Sequence, residues 1–476
     1  MSQARRPPGP KGRFLLGHLP EIAGDRQKFY AHCAQEYGDC TVAWHGLMPI
    51  WLLNHPDLIR QVFVTESHIF QKDWRYLILG RLFGTGLVTS SGKFWLKQRR
   101  LMQPAFSKRH VGSYGEDMVT LARELSDSWI DGEVRDVHAD MTRLTMSILA
   151  KTIFGIELSG LGEIFVRRYT DAFRCIEHLM VSLWPMPAWV PTPTNVKLRR
   201  QVALLDRSLY ELIRERRQKE GGEDLLSVLI RTRDAEGGAV MTDRHLRDEV
   251  MTLLSAGHDT TALATTYSMH MLAEHPDTSR ALREELDRVL AGRPPTVADL
   301  PRLVYTESFV REVLRLYPPI PSLTRIAVAA TELGGYPLPA GTNVVINPWV
   351  THRDARWFEQ PEQFRPDRWA NGLAERLPQF AFFPFGGGTR VCIARDFAMM
   401  EIILVLATIA QRYHFTRSEG PGWHIVPSLT LKPSGPVELR VSRMRPDSGD
   451  GNRATGQSQE SPVAPATSCP VHRRGP

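Results

Sequence analysis

The chain runs to 476 residues, 42% hydrophobic and 23% charged, with a formal net charge of +7. This makeup excludes a disordered or fibrous protein and supports a large buried core, while five cysteines with no Cys-x-x-Cys pair exclude a disulfide framework and the usual zinc-ligand spacings. Much of the excess positive charge sits at the ends (Arg5, Arg6, Lys11, Arg13, then Arg443, Arg445, Arg453, Arg473 and Arg474), which reads as solvated arms and not as a nucleic-acid surface.

Residues 1–13 form a basic, Pro/Gly-rich arm with no apolar stretch of signal-peptide length behind it. The longest apolar run, Ile402 to Ala410, is about half of the roughly 20 residues that a membrane-spanning helix needs. The expectation is a cytoplasmic chain without a membrane anchor. Thr41–Trp44 and Ile50–Leu53 flank Gly46–Pro49 as a short hairpin, and Pro56 opens a helix through Val64. Apolar residues then recur at helical spacing over Val111–Ile130, Met141–Phe154, Glu163–Leu183, Val196–Lys219 and Asp243–Glu274, the last long and free of internal proline. After a helix ending before Pro318-Pro319, Leu323–Val328 and Thr342–Asn347 read as strands, with Gly334-Gly335 as a turn between them. A further helical run covers Asp396–Tyr413, and from about Met444 polar residues replace the apolar pattern, so 444–476 is expected to be a disordered tail. Few, scattered strands among many helices, with no repeat or long linker, predict a mainly α fold with small β-sheets over 14–443.

The string Phe385-Gly386-Gly387-Gly388-Thr389-Arg390-Val391-Cys392-Ile393-Ala394 leads into that last helix. A cysteine near a helix N-terminus is favoured as thiolate, the form a metal needs. Glycines let the backbone approach a bulky flat group and aim amide hydrogens at the sulfur. A cysteine taken alone is more often an idle core thiol. In the long helix, Ala256-Gly257-His258-Asp259-Thr260-Thr261 contains a glycine that costs about 1 kcal/mol relative to alanine, and sets a hydroxyl beside a carboxylate, a pair able to relay protons. Glu312 and Arg315 at i, i+3, and Trp95 and Arg99 at i, i+4, each share one helix face.

These strings together resemble the cytochrome P450 superfamily, in the family's order, over about Gly9 to Leu439. One departure is Ala394, where the family usually has glycine. The resemblance implies a cytochrome P450 fold with heme b (iron protoporphyrin IX) between the long central helix and the helix after the cysteine loop. It implies Cys392 as the axial ligand of the iron, Phe385, Gly386 and Arg390 as the heme-binding loop, and Trp95, Arg99, Arg325 and Arg390 as propionate contacts. Asp259 and Thr260 would be the catalytic pair. Arg368, within Pro361–Trp369, would join Glu312 and Arg315 in a structural cluster.

The activity so implied is that of a heme-dependent monooxygenase, inserting one oxygen atom of dioxygen into a lipophilic organic substrate. The pocket should draw on Trp74–Val88, Leu179–Val190, Ala256, Pro321–Leu323 and Ser428–Leu431, with Ala256, Leu323 and Leu429 facing the substrate. With no flavin or iron–sulfur motif in the chain, electrons are expected from an external ferredoxin or flavodoxin with its reductase. Lys93, Lys97, Arg99, Arg100, Lys108, Arg109 and Arg395 are its expected docking face, on a monomer that binds no nucleic acid. Two alternatives compete: a peroxide-using or rearranging heme-thiolate enzyme, against which Asp259-Thr260 argues, and a non-catalytic heme sensor or carrier binding through Cys469-Pro470 and His472.

Overall fold

The first elements to pair are β1 (Cys40–His45) and β2 (Met48–Leu53), antiparallel from Cys40 opposite Leu53 to His45 opposite Met48. The computed structural model describes residues 6–155, 161–182, 186–218, 221–232, 241–420, 422–426 and 429–444. The expected tail beyond Met444, with Cys469 and His472, and Ser428 of the expected pocket lie outside the described residues. The sheet begun by the hairpin continues through β3 (Phe70–Gln71), β4 (Leu323–Ala327) and β5 (Asn343–Ile346) in the order β1-β2-β5-β4-β3. Here β5 pairs parallel to β2, with Ile50 opposite Asn343, and antiparallel to β4. The Gly334-Gly335 turn proves to close a hairpin of its own, Thr331–Leu333 with Tyr336–Leu338.

The helices that build the site are α1 (Gly92–Met102), α2 (Gly115–Asp127), α3 (Val137–Phe154), α4 (Leu161–Val181), α5 (Asp243–Glu274), α6 (Val304–Leu316) and α7 (Arg395–Ala410). The start of α3 lies before the apolar pattern does, because the Asp136 carboxylate caps it by accepting from the backbone N–H groups of His138 and Ala139. Thr242 caps α5 in the same manner, through His245 N. From Met400 to Ala410 every residue of α7 is buried, and all but Glu401 and Thr408 are apolar, so this helix forms core against α2, α5 and α6. It ends sooner than its pattern: Tyr413 opens a strand, Tyr413–Arg417, that pairs with Glu438–Arg443. A second, smaller core packs Phe63, Val344 and Ile346 of the sheet region against Phe380 and Phe383, which lead into the cysteine loop.

Glu312 and Arg315 of α6 are both fully buried and paired at 2.8 Å. The Glu312 carboxylate also accepts from Arg368 Nε at 2.8 Å, Arg365 N at 2.9 Å and Trp369 Nε1 at 2.9 Å. Arg315 in turn donates to the carbonyls of His352, Pro361 and Gln363. A buried charge is tolerable only when its partners are complete. Here they fasten α6 to the segment that precedes the cysteine loop. Glu312→Ala leaves Arg315 and Arg368 without their counter-charge and is expected to cost about 3–5 kcal/mol of stability, measured by equilibrium denaturation.

Candidate active site

The cysteine loop is closed by Cys392 N, which donates to Phe385 O at 3.0 Å. Gly388 is in the left-handed region at φ 64°, and a Cβ there would lie 2.0 Å from Phe63 O, so this glycine exists for packing as well as for the turn. Ala394, by contrast, has φ −97°, a conformation open to any L-residue, so the backbone there does not require glycine. Its N–H donates to the Cys392 sulfur. The thiol opens onto an internal cavity, and burial pushes it above its ordinary value while the Ala394 N–H and the charges of Arg99 and Arg395 pull it down. Coordination to a metal would hold the sulfur as thiolate.

Across the cavity, of about 480 Å³, lies α5 with Ala256, Gly257, Asp259, Thr260 and Thr261 on the wall. Gly257 also has a packing role in the helix. A Cβ there would lie 3.1 Å from Leu149 Cδ2, so the glycine lets α3 and α5 cross closely. Thr260 donates back to Ala256 O at 2.6 Å. Asp259 accepts from Thr430 Oγ1 at 2.8 Å and faces Lys432 Nζ at 3.7 Å. His258 is buried and does not line the cavity. Phe385, Gly386, Leu323 and Leu429 complete the expected wall, joined by Leu149, Thr152 and Ile153 of α3, which the pattern had not marked.

At one edge of the cavity the cations gather. Arg390 lies over the Trp95 ring at 4.2 Å and donates to Ser90 O; Arg325 lies over the Phe63 ring at 5.1 Å. Arg99 donates to Val391 O at 2.6 Å, beside the sulfur, so it is half-buried in the loop and leaves the expected docking face. Lys72 joins them, unmarked in the sequence because Gln71-Lys72-Asp73 reads as polar surface. Its ammonium donates to Leu87 O, Val88 O and Ser90 O, and burial, then Arg390 and Arg325, push its pKa down to about 6. Burial, then Arg325, lowers Arg390 to about 10.

The family model for cytochrome P450 matches residues 7–440. The chain belongs to the cytochrome P450 family. It is 33% identical to cyclooctatin synthase and 34% identical to cyclooctat-9-en-7-ol 5-monooxygenase, both of Streptomyces melanosporofaciens, over 90% and 84% of this chain and 94% and 87% of those proteins. Pentalenene oxygenase of Streptomyces avermitilis is 32% identical over 91% of this chain and 96% of its own length. This cytochrome P450 is a heme-dependent monooxygenase. The residues fit the heme: one thiol opens onto the cavity, and crowded cations at its edge await a group with two carboxylates. Among the described residues no helix is long and apolar enough to cross a membrane.

The loop 84–90 that Lys72 holds by its carbonyls is held by α5 from the other side. Asp248 accepts from Thr85 N at 2.8 Å, and fully buried Glu249 accepts from Leu87 N at 3.0 Å. Burial raises the Glu249 carboxyl from its ordinary 4.5 to about 8. Between those values the folded chain keeps a proton that the unfolded chain releases, so this group's contribution falls as pH rises. Glu249→Gln is expected to gain stability over the parent progressively from about pH 5 to about pH 8, read as the difference in thermal midpoints; a constant difference would contradict it.

Proposed function

We propose that this cytochrome P450 inserts one oxygen atom of dioxygen into a lipophilic, terpenoid-like substrate, using electrons from a separate ferredoxin or flavodoxin. The observation that carries the reading is the cavity itself, walled by the Cys392 loop on one side and by Ala256, Gly257, Asp259, Thr260 and Thr261 on the other. Relatives named for oxidising pentalenene and cyclooctat-9-en-7-ol support the substrate class.

When bound, the heme supplies the iron at which dioxygen is activated, and Cys392 is the residue that would hold it. Lys72, Arg99, Arg325 and Arg390 would neutralise its carboxylates. Phe83, Leu87, Leu149, Phe173, Leu323 and Leu429 present hydrocarbon to the substrate and exclude water. Thr260 and Asp259 would relay protons, the hydroxyl exchanging its bond to Ala256 O and the carboxylate drawing on Thr430 and Lys432. Lys93, Lys97, Arg100, Lys108, Arg109 and Arg395 are exposed and would receive an acidic redox partner.

The parent chain is expected to carry one heme per chain by quantitative heme assay, and Cys392→Ser to carry none; a retained heme with an unaltered spectrum would remove Cys392 as ligand. Thr260→Ala is expected to retain heme and oxygen uptake while most electrons appear as hydrogen peroxide instead of product. Full coupling in that variant would take Thr260 out of the relay.

A further inference from the structure

Three threonine hydroxyls on the cavity wall are turned inward, each on its own helix. Thr152 donates to Ile148 O, Thr252 to Asp248 O and Thr260 to Ala256 O, each one turn back, so their protons are not offered to a ligand. Ser255 behaves differently. It lines the cavity and accepts from Tyr169 Oη of α4 at 2.8 Å. Among the described residues no carbonyl takes its proton.

Tyr169 is buried at 3% exposure, stacked on Phe173 with ring centroids 5.8 Å apart and set edge-on to His258. Its phenol is thus fixed in place, and it fixes Ser255. Leu149, Ile153, Phe173, Met180 and Leu253 of the same cavity offer only hydrocarbon or thioether, Thr152 and Thr252 among them are bonded to their own helices, and Glu177 is paired with Lys432. An oxygen atom buried against such a surface would lose its bonds to water without replacement. Against Ser255 it recovers one.

We infer that Ser255, positioned by Tyr169, is a specificity-determining residue that recognises a hydroxyl or carbonyl oxygen already present on the substrate. The inference rests on the monooxygenase reading of the cavity and deepens it: this enzyme takes a lipophile that an earlier oxygenation or hydration has supplied. Ser255 and Thr260 are five residues apart on α5, about 7.5 Å along the axis, so the carbon oxidised is not the one that bears the anchored oxygen.

The test is an optical titration of the heme-loaded protein with matched probes: bornane and borneol, cedrane and cedrol. The parent is expected to bind at least one alcohol as tightly as its hydrocarbon partner or more so. In Ser255→Ala the Kd for that alcohol should rise about tenfold, as for a lost buried hydrogen bond, with the hydrocarbon within about twofold. Tyr169→Phe should weaken the alcohol selectively as well, which a merely structural role for the tyrosine would not do. Equal losses for alcohol and hydrocarbon in Ser255→Ala, a parent that prefers both hydrocarbons, or failure of both alcohols to bind would overturn the inference. Failure of the monooxygenase reading would show separately, as a chain that holds no heme to titrate.

Discussion

Burying several cations side by side, with little to oppose them, is the constraint around which this molecule is arranged. Lys72, Arg99, Arg325 and Arg390 reach one edge of the cavity from four separate segments. Each is partly stripped of water, and Lys72 and Arg390 are shifted by the others' charge. Backbone carbonyls of residues 87–90 and 391 absorb some of that charge. A cofactor bearing two carboxylates would absorb the rest, so folding and loading draw on the same electrostatic term.

The same edge links the cofactor site to the substrate site. Loop 84–90 is gripped through its carbonyls by Lys72 and through its N–H groups by Asp248 and Glu249, and two of its side chains, Leu87 and Val88, line the cavity. A loop held from both sides forms a defined wall, where an unbraced one would sample many shapes. The Glu312 carboxylate does comparable work with complete partners, tying α6 to the approach of the cysteine loop. One buried acid has its charges matched; the other is held as a protonated group. Both fix backbone that no apolar contact could orient.

The polar groups on the cavity wall divide by what they bond. Hydroxyls that return to their own helix shape the wall, whereas Asp259 and Ser255 are partnered from other segments, by Thr430 and Tyr169. Partners on a second segment hold a group's direction relative to the cavity, and direction is what proton transfer and recognition both need.

Read alone, the sequence determined the reaction class and the mainly helical fold. The cysteine loop, the Asp259-Thr260 pair, Glu312 with Arg315, and the full span of α5 are local strings whose spacing survives in one dimension. Only the tertiary structure decided the rest. The parallel pairing of β2 with β5, the arrival of Lys72 among the arginines, the approach of Gly257 to Leu149 and the contact of Tyr169 with Ser255 all join residues far apart in the chain. Periodicity reports which face of an element is buried but not what lies against it, and a lysine or serine reads as surface until a second segment closes over it.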